Sequence, residues 1–244
     1  GDIYLVNADG TGLRLLTQGL DPVWAPDGKA IAFARWEEKP GIYIMDLEGE
    51  ERRVFNVYNG RAPAWAPGGD RVAFYYETEG MTLPVKFCLP SYGCTTLVPA
   101  RPEQRWKLGV VELATGHFTQ PRCDRYSFSP TWLPDGKTIA YDGDKGLSLA
   151  DLRRNVSLSL TDNPHDSFPV WSIDGSRVAF MHYQHDHWEI YVMNSDGSGR
   201  TRLTETPFLA ERPFNNVSPA WSPDGKKIAF LSDRDGPWHL YVMD

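Results

Sequence analysis

Three histidines stand within six residues of one another in the second half of the chain. They are His182, His185 and His187, and Asp186 lies between the last two. Imidazole and carboxylate groups are ligands that zinc and other divalent metals accept. The spacing matches no established metal motif, however, and a solvated polar hairpin tip accounts for the same residues. A divalent metal is one interpretation of this segment, and the sequence indicates no other cofactor.

A second set of polar and aromatic residues precedes a recurring Pro-x-Trp sequence. Arginine binds carboxylates and phosphates through paired N–H donors, and convergent polar and aromatic groups suit a small polar ligand. If the fold brings these segments together, they predict a site for such a ligand or for a protein partner. If it does not, they bond loop backbones and one another. The predicted binding residues are Tyr58, Asn59, Arg61, Arg125, Tyr126, His165, Asp166, Arg212 and Asn215.

The chain has three cysteines, Cys88, Cys94 and Cys123. Three cysteines make no disulfide framework, and their spacing does not fit a zinc site. Cys88 and Cys94 flank a short loop that contains Pro and Gly, and we expect a disulfide between them, which would indicate an oxidising compartment. Two free thiols remain the alternative.

Several classes of function have no support in the composition. The formal net charge is −7 and there is no basic run, which argues against nucleic-acid binding. No stretch approaches 18 apolar residues, so we expect no membrane insertion. G-x-S-x-G, H-E-x-x-H and G-x-G-x-x-G are all absent, and no nucleophile has a nearby base. The sequence therefore favours a protein that is not an enzyme.

A repeat organises the elements that would position these residues. The pattern Pro-x-Trp-x-x-(Asp or Gly)-Gly occurs five times, and its tryptophans are separated by 41, 67, 39 and 50 residues. A period near 40 with strand-like units is typical of a β-propeller. The repeated tryptophans are Trp24, Trp65, Trp132, Trp171 and Trp221.

Each repeat predicts four short strands, which we call A to D. The Pro-x-Trp segment is strand A, an Asp-Gly or Gly-Gly turn follows, and an apolar strand B such as Ile31-Ala32-Phe33 comes next. Strand C reads like Ile190-Tyr191-Val192, and strand D like Arg202-Leu203-Thr204. A single four-stranded sheet exposes both faces, so several sheets must pack around an axis. The predicted fold is all-β, a propeller of four-stranded antiparallel blades.

The segment Trp221-Ser222-Pro223-Asp224-Gly225-Lys226-Lys227-Ile228-Ala229-Phe230 resembles the WD40-like PD40 repeat of TolB-like β-propellers. The resemblance covers nearly the whole chain outside residues 78–105. It implies a binding or interaction platform, frequently outside the cytoplasm, so a periplasmic or extracellular place is favoured and the cytoplasm stays open. It also implies an alternative, because similar propellers are metal-dependent lyases or gating domains of prolyl-oligopeptidase-like peptidases.

The chain is predicted to be one domain, residues 1–244. Its repeat units are about 21–60, 61–126, 127–166, 167–216 and 217–244, with residues 1–17 added to the last. Five blades are favoured, closed by the amino- and carboxyl-terminal strands sharing one blade. Six blades, or an incomplete six-bladed ring, are the alternative, and TolB-like propellers commonly have six.

Function is expected at one end of this propeller. The A–B and C–D turns lie at one end, the turn face, and the B–C loops and D–A connections lie at the other, the loop face. Irregular loops on a rigid scaffold are where binding usually occurs. The long insertion at about 78–105 lies in a B–C loop, and its apolar residues predict a lid over the channel mouth. We therefore expect the ligand or protein partner at the loop face.

Overall fold

The computed structural model describes residues 1–7, 9–81, 85–89, 93–98, 101–207 and 212–244, with the backbone alone described at 81, 85–89, 93–98 and 102. The described residues form antiparallel strands and contain no helix. They accordingly include no helix with the length and apolar character needed to cross a membrane. The predicted all-β class is confirmed.

Five antiparallel sheets, which we call blades 1 to 5, follow a short amino-terminal hairpin. The hairpin consists of β1 (Asp2–Leu5) and β2 (Arg14–Gln18). Blade 1 consists of β3 (Leu20–Trp24), β4 (Ala30–Arg35), β5 (Gly41–Asp46) and β6 (Glu51–Phe55). Blade 2 consists of β7 (Arg61–Trp65), β8 (Arg71–Met81), β11 (Pro102–Glu112) and β12 (Phe118–Thr119), with β9 (Val85–Leu89) and β10 (Gly93–Val98) inserted after its second strand.

The remaining three blades have no such insertion. Blade 3 consists of β13 (Phe128–Trp132), β14 (Thr138–Gly143), β15 (Gly146–Asp151) and β16 (Val156–Ser159). Blade 4 consists of β17 (Asp166–Trp171), β18 (Arg177–Gln184), β19 (His187–Asn194) and β20 (Thr201–Arg202). Blade 5 consists of β21 (Asn216–Trp221), β22 (Ile228–Ser232) and β23 (His239–Met243). The predicted propeller of five blades is confirmed.

Local sequence explains the turns and the inner strand of each blade. The glycine of the A–B turn has a positive φ, 69° at Gly28 and 63° at Gly136, a conformation that glycine adopts without steric cost. The residue before the proline of strand A also has a positive φ in every blade, between 45° and 56°, and the A–B register breaks there. These bulge residues are Asp21, Ala62, Ser129, Phe168 and Ser218.

The repeated tryptophans join neighbouring blades, as their recurrence predicts. The indole Nε1–H of Trp132 donates to the Ala64 carbonyl oxygen of blade 2 at 3.0 Å, and that of Trp221 donates to the Val170 carbonyl oxygen of blade 4 at 3.1 Å. Two of the five make no such bond: Trp24 is 48% exposed, and the Nε1 of Trp171 is buried and has no hydrogen-bond partner among the described residues. The apolar core lies mostly between the blades, where strand B and C residues such as Phe74, Leu108 and Phe180 are fully buried.

The amino-terminal strands do not close the ring as predicted. Among the described residues β2 pairs with β1, and β23 pairs only with β22, so the terminal strands do not share a blade. The reason is local: hydrogen bonds of Asn7 with Gly10 and Thr11 fold β2 back onto β1, and the apolar side of this hairpin packs on blade 1 through Ile3, Leu16 and Phe33. Pairing β2 with β1 closes a much shorter loop than pairing β2 with β23, so it costs less conformational entropy.

The insertion forms strands rather than an irregular loop. β8 and β11 pair without interruption from Arg71↔Glu112 to Met81↔Pro102, which extends them well beyond the blade on the loop-face side. We call this extension the arm. β9 and β10 pair with each other, and the Cys88 backbone lies opposite the Cys94 backbone. The predicted disulfide and the apolar side chains of the predicted lid lie outside the described residues, whereas Cys123 is a free thiol.

Candidate functional site

Exposed aromatic side chains gather on the loop face. Among the described residues, seven Trp and Tyr side chains are substantially exposed, and five of them belong to B–C loops, to the adjoining ends of strand B or to D–A connections. The two others, Tyr4 and Trp24, lie in β1 and β3. A rigid aromatic with a polar atom is the type of residue that dominates protein interfaces. The five loop-face aromatics are Trp36, Tyr58, Tyr126, Tyr183 and Trp238.

Arg61 is engaged in an ion pair between blades 1 and 2. Its Nε and Nη2 donate to the Asp21 carboxylate at 2.5 and 2.9 Å, and the Ala62 backbone N–H donates to the same group at 3.0 Å. The guanidinium also lies 4.8 Å from the centre of the Trp36 ring. Burial alone would raise the pKa of Asp21, but the bonds from Arg61 and Ala62 hold this pKa below its usual value. The ion pair thus connects the bulge residues Asp21 and Ala62 with the side chain of Trp36.

Hydrogen bonds join the arm to the D–A connections before and after blade 2. On one side, the Asn59 Nδ2 donates to Glu77 Oε2 at 2.5 Å. On the other, Glu103 accepts hydrogen bonds from Arg125 Nη1 at 3.0 Å and from the Tyr126 hydroxyl at 3.2 Å. Arg105 also bonds Glu103, and although burial acts to raise the pKa of Glu103, these cationic and hydroxyl donors lower it below its usual value. Charged and polar contacts therefore hold the part of the arm that lies next to the blade.

Tyr58 differs from its neighbours in these connections. It is 70% exposed, the highest value among the exposed aromatics. Asn59, which follows it, has a φ of 51° and makes the turn that presents the Tyr58 ring to solvent. Asparagine tolerates this left-handed conformation better than most residues. Tyr58 is consequently the loop-face aromatic that is most available to a partner.

Asp166 lies at the centre of a buried cluster in blade 4. Its side chain is fully buried and accepts hydrogen bonds from Arg200 Nη1 and Nη2 at 2.7 and 2.9 Å. The Nδ1 of His182 lies 2.7 Å from its Oδ1. The ring of His165, which is exposed, lies 6.3 Å from the His182 ring and 6.2 Å from that of Tyr183. Asp166 thus serves the packing of the blade, and His165 faces solvent beside it.

Arg212 and Asn215 bond within blade 5 and to blade 4. Arg212 Nη2 donates to Asp233 Oδ2 at 3.0 Å, and the Asn215 backbone N–H donates to Asp233 Oδ1 at 2.6 Å. Burial acts to raise the pKa of Asp233, but these donors lower it below its usual value. The Asn215 Oδ1 also accepts a hydrogen bond from the backbone N–H of Trp188 at 3.2 Å. Together with the arrangements above, this means that the predicted binding residues mostly bond residues outside the predicted set, such as Asp21, Glu77, Glu103 and Asp233.

The three histidines of blade 4 have separate surroundings. His182 bonds Asp166 as described, whereas the His187 ring lies between the His185 carbonyl oxygen at 2.9 Å and Glu189 Oε1 at 3.1 Å. Over the part of the chain that the structure describes, no group of three or more His, Cys, Asp or Glu residues is placed to hold a metal ion. The predicted set therefore does not assemble as one ligand sphere.

Two buried carboxylates were not anticipated from the sequence. Glu189 is fully buried, and its carboxylate accepts hydrogen bonds from Asn216 Nδ2 at 2.9 Å and the Thr206 N–H at 2.6 Å. In the junction of blades 3 and 4, Asp142 accepts the Phe168 N–H at 2.6 Å, and burial raises the pKa of Asp142 to about 6. The available signal for Asp142 was its place directly after the apolar strand residues Ile139-Ala140-Tyr141.

Comparison with known proteins places this geometry in a family. The Tol-Pal system protein TolB of Anaeromyxobacter dehalogenans (strain 2CP-C) is 38% identical over 89 residues, which cover 35% of this chain and 20% of that protein. The crystal structure of TolB from Acinetobacter baumannii has a TM-score of 0.73 at 19% identity, covering all of this chain and 57% of the other. A putative TolB from Agrobacterium tumefaciens gives a TM-score of 0.74 at 20% identity, covering all of this chain and 84% of the other.

The likeness to the solved structures shows the fold, and the chain spans little more than half the length of the Acinetobacter protein. Membership rests on a direct match between the sequence and a family model. The model of the TolB beta propeller domain, PD40, matches residues 111–244, which is more than half of the chain. This protein belongs to the TolB beta propeller domain family.

Proposed function

We propose that this propeller is a non-catalytic binding module whose loop face docks a protein partner. The observation that carries the proposal is the set of five exposed aromatics, Trp36, Tyr58, Tyr126, Tyr183 and Trp238, distributed over that face. Tyr and Trp supply large contact areas at a low cost in side-chain entropy, which is why they dominate interface energetics. Because most polar groups of the loop face already form hydrogen bonds or ion pairs, the exposed aromatic side chains are the groups available to contact a partner.

The contact geometry favours a protein over a small polar ligand. A small ligand needs a concave site with unsatisfied polar groups. Here Arg61, Arg125 and Arg212 each already form an ion pair, with Asp21, Glu103 and Asp233 respectively. The arm, which contains Glu103, widens the surface that a protein partner can contact. We therefore assign the predicted binding residues of the connections a supporting role, holding the aromatic side chains in place.

The family relationship supports the same proposal at a coarser level. The curated relative is named as a protein of the Tol-Pal system, which is a system of more than one protein by its name. We extend to this chain only the expectation of a protein partner. We also propose a periplasmic or extracellular place, because the family resemblance implies it and a disulfide between Cys88 and Cys94 would fit it.

The test is selective loss of a co-purifying partner. A variant with Tyr58→Ala, Tyr126→Ala and Trp238→Ala is compared, in the source organism, with a control carrying Ile173→Ala in the A–B turn of blade 4 and Leu158→Ala in β16, the last strand of blade 3. The control is matched because Ile173 and Leu158 are 65% and 51% exposed, similar to the residues changed on the loop face. Far-ultraviolet circular dichroism and the melting temperature are compared to show that both variants are folded.

The proposal predicts that one protein co-purifies with the unaltered chain and with the control, and that its yield falls at least tenfold with the loop-face variant. Equal yields with all three chains would contradict it. Loss with the control alone would place the docking surface outside the loop face.

A further inference from the structure

The turn face has a cleft of 720 Å³ between blades 1 and 2. It is lined by the indole of Trp65, by the backbone of the Gly68-Gly69 turn and by Ala30. Trp65 and Trp221 are half-buried, whereas Trp132 and Trp171 are 6% and 7% exposed. The cleft is thus an opening over one member of the repeated tryptophans.

At two other junctions an arginine of the chain covers the equivalent tryptophan. Arg71 of blade 2 places its Cζ 4.8 Å from the centre of the Trp132 ring, and its Nη2 donates to the Gly136 carbonyl oxygen at 2.8 Å. Arg177 of blade 4 places its Cζ 4.8 Å from the centre of the Trp221 ring. Its Nη2 donates to the Gly225 carbonyl oxygen at 3.3 Å. The same guanidinium arrangement therefore occurs twice, each time reaching into the next blade.

The repeat identifies the residue that would make this contact at Trp65. Arg71 and Arg177 are the first residues of strand B, two positions after the glycine of the A–B turn. The residue at that position in blade 1 is Ala30, two positions after Gly28. An alanine methyl cannot reach the next blade, so the place of the guanidinium over Trp65 and beside Gly69 stays open as the cleft.

The charges that line the cleft favour a cation. Asp27, Asp70 and Glu112 contribute three carboxylates, and Arg52 contributes the one cation among the lining residues. An aromatic face attracts a guanidinium that lies over it, and carboxylates bind it through charge-assisted hydrogen bonds. The net charge of the lining is opposite in sign to that of the group that fills the other two junctions.

We propose that the cleft between blades 1 and 2 is a binding site for a guanidinium group, the arginine side chain of a partner polypeptide. The chain itself shows the fit, because Arg71 and Arg177 occupy the equivalent positions over Trp132 and Trp221. The partner's arginine stacks on Trp65 and donates to the carbonyl oxygen of the Gly69 turn. This site is on the opposite end of the propeller from the loop face and is independent of the function proposed for that face.

The test titrates N-acetyl-L-arginine amide into protein labelled with ¹⁵N-tryptophan and follows the indole N–H signal of Trp65. N-acetyl-L-citrulline amide, which has the same shape and no charge, is the matched ligand control. We expect a saturable shift in the millimolar range, as befits one side chain, and no shift with the citrulline derivative. N-acetyl-L-arginine, which has a carboxylate and no α-ammonium group, carries a negative charge into an acidic cleft, so it binds more weakly than the amide.

Two variants test the mechanism. Ala30→Arg places the chain's own guanidinium in the cleft, so it abolishes the shift and raises the melting temperature, whereas Ala30→Gln, which is long and uncharged, retains binding. Arg52→Ala removes the competing cation and tightens binding at least twofold. Equal shifts with arginine and citrulline derivatives, or unchanged binding in A30R, would overturn the proposal. Tighter binding of N-acetyl-L-arginine than of the amide would overturn the assignment to a polypeptide side chain.

Discussion

Asp142 predicts an unusual pH dependence of stability at the junction of blades 3 and 4. Its carboxylate accepts the Ser167 hydroxyl at 2.8 Å and the Phe168 N–H at 2.6 Å. These donors are neutral, so burial dominates and raises the pKa of Asp142 from 3.8 to about 6. Between these two pH values the folded chain binds more protons at Asp142 than the unfolded chain does. The contribution to stability is therefore complete below the unfolded value and is lost as the pH rises through about 6.

The magnitude follows from the two pKa values. Each pKa unit corresponds to about 1.4 kcal/mol, so the full effect is about 3 kcal/mol between strongly acidic and neutral solution. Over the more accessible range from about pH 5 to about pH 7.5, the linkage relation gives a loss of about 1.4 kcal/mol. Asp142→Asn removes this titration. The free energy of unfolding of the unaltered chain minus that of D142N should thus fall by about 1.4 kcal/mol over this range.

The assay is urea unfolding of both chains at the two pH values. Taking the difference between the chains cancels the carboxyls whose pKa is lowered, such as Asp21 and Asp233, because both chains contain them. Asp142→Met is a second variant that the chain itself suggests, since Met181 accepts the equivalent backbone N–H of Ser218 at 3.3 Å in the next junction. If this difference in the free energy of unfolding stays constant within about 0.3 kcal/mol, or grows with pH, the pKa of Asp142 is not raised in the folded chain.

Three further predictions concern the junctions and the blade 4 histidines. Trp132→Phe should destabilise the protein about 1 kcal/mol more than Trp171→Phe, because only Trp132 loses a hydrogen bond; equal losses in urea unfolding would contradict this. Arg61→Ala should lower the free energy of unfolding by about 1 to 2 kcal/mol, since it leaves the half-buried Asp21 carboxylate without its cation; an unchanged midpoint would show that the pair contributes nothing. Elemental analysis after a chelator wash should find no stoichiometric transition metal, and a metal that is lost on replacing the three histidines would support the enzyme alternative.

Much of the fold follows from residues that act within one repeat. The Pro-x-Trp segment, the Asp-Gly turn and the apolar strand B each specify a local conformation, and their recurrence requires the sheets to pack side by side. The role of the tryptophans between blades follows as well, because a large side chain repeated once per blade needs a neighbour to bury it. Trp24 shows what happens without that neighbour. Among the described residues no earlier strand A precedes Trp24, and this side chain is 48% exposed.

Features that depend on two distant residues could not be predicted in the same way. Asp21 and Arg61 are 40 residues apart, and nothing in either segment specifies the other. The amino-terminal strand β2 had two candidate partners, and the sequence does not reveal that its own hairpin partner is preferred over β23. The positive φ before each strand A proline could not be predicted from the sequence either, since four of the five residues there, Phe168 among them, are not ones that favour it.

The claim that the loop face docks a protein is tested most directly by site-specific photo-cross-linking in the source organism. A photoreactive amino acid replaces Tyr58 in one chain and Ile173 in another, two positions of similar exposure, 70% and 65%, on opposite faces. Docking at the loop face predicts one discrete protein adduct from position 58 and none from position 173. The same adducts from both positions, or an adduct from position 173 alone, would contradict it.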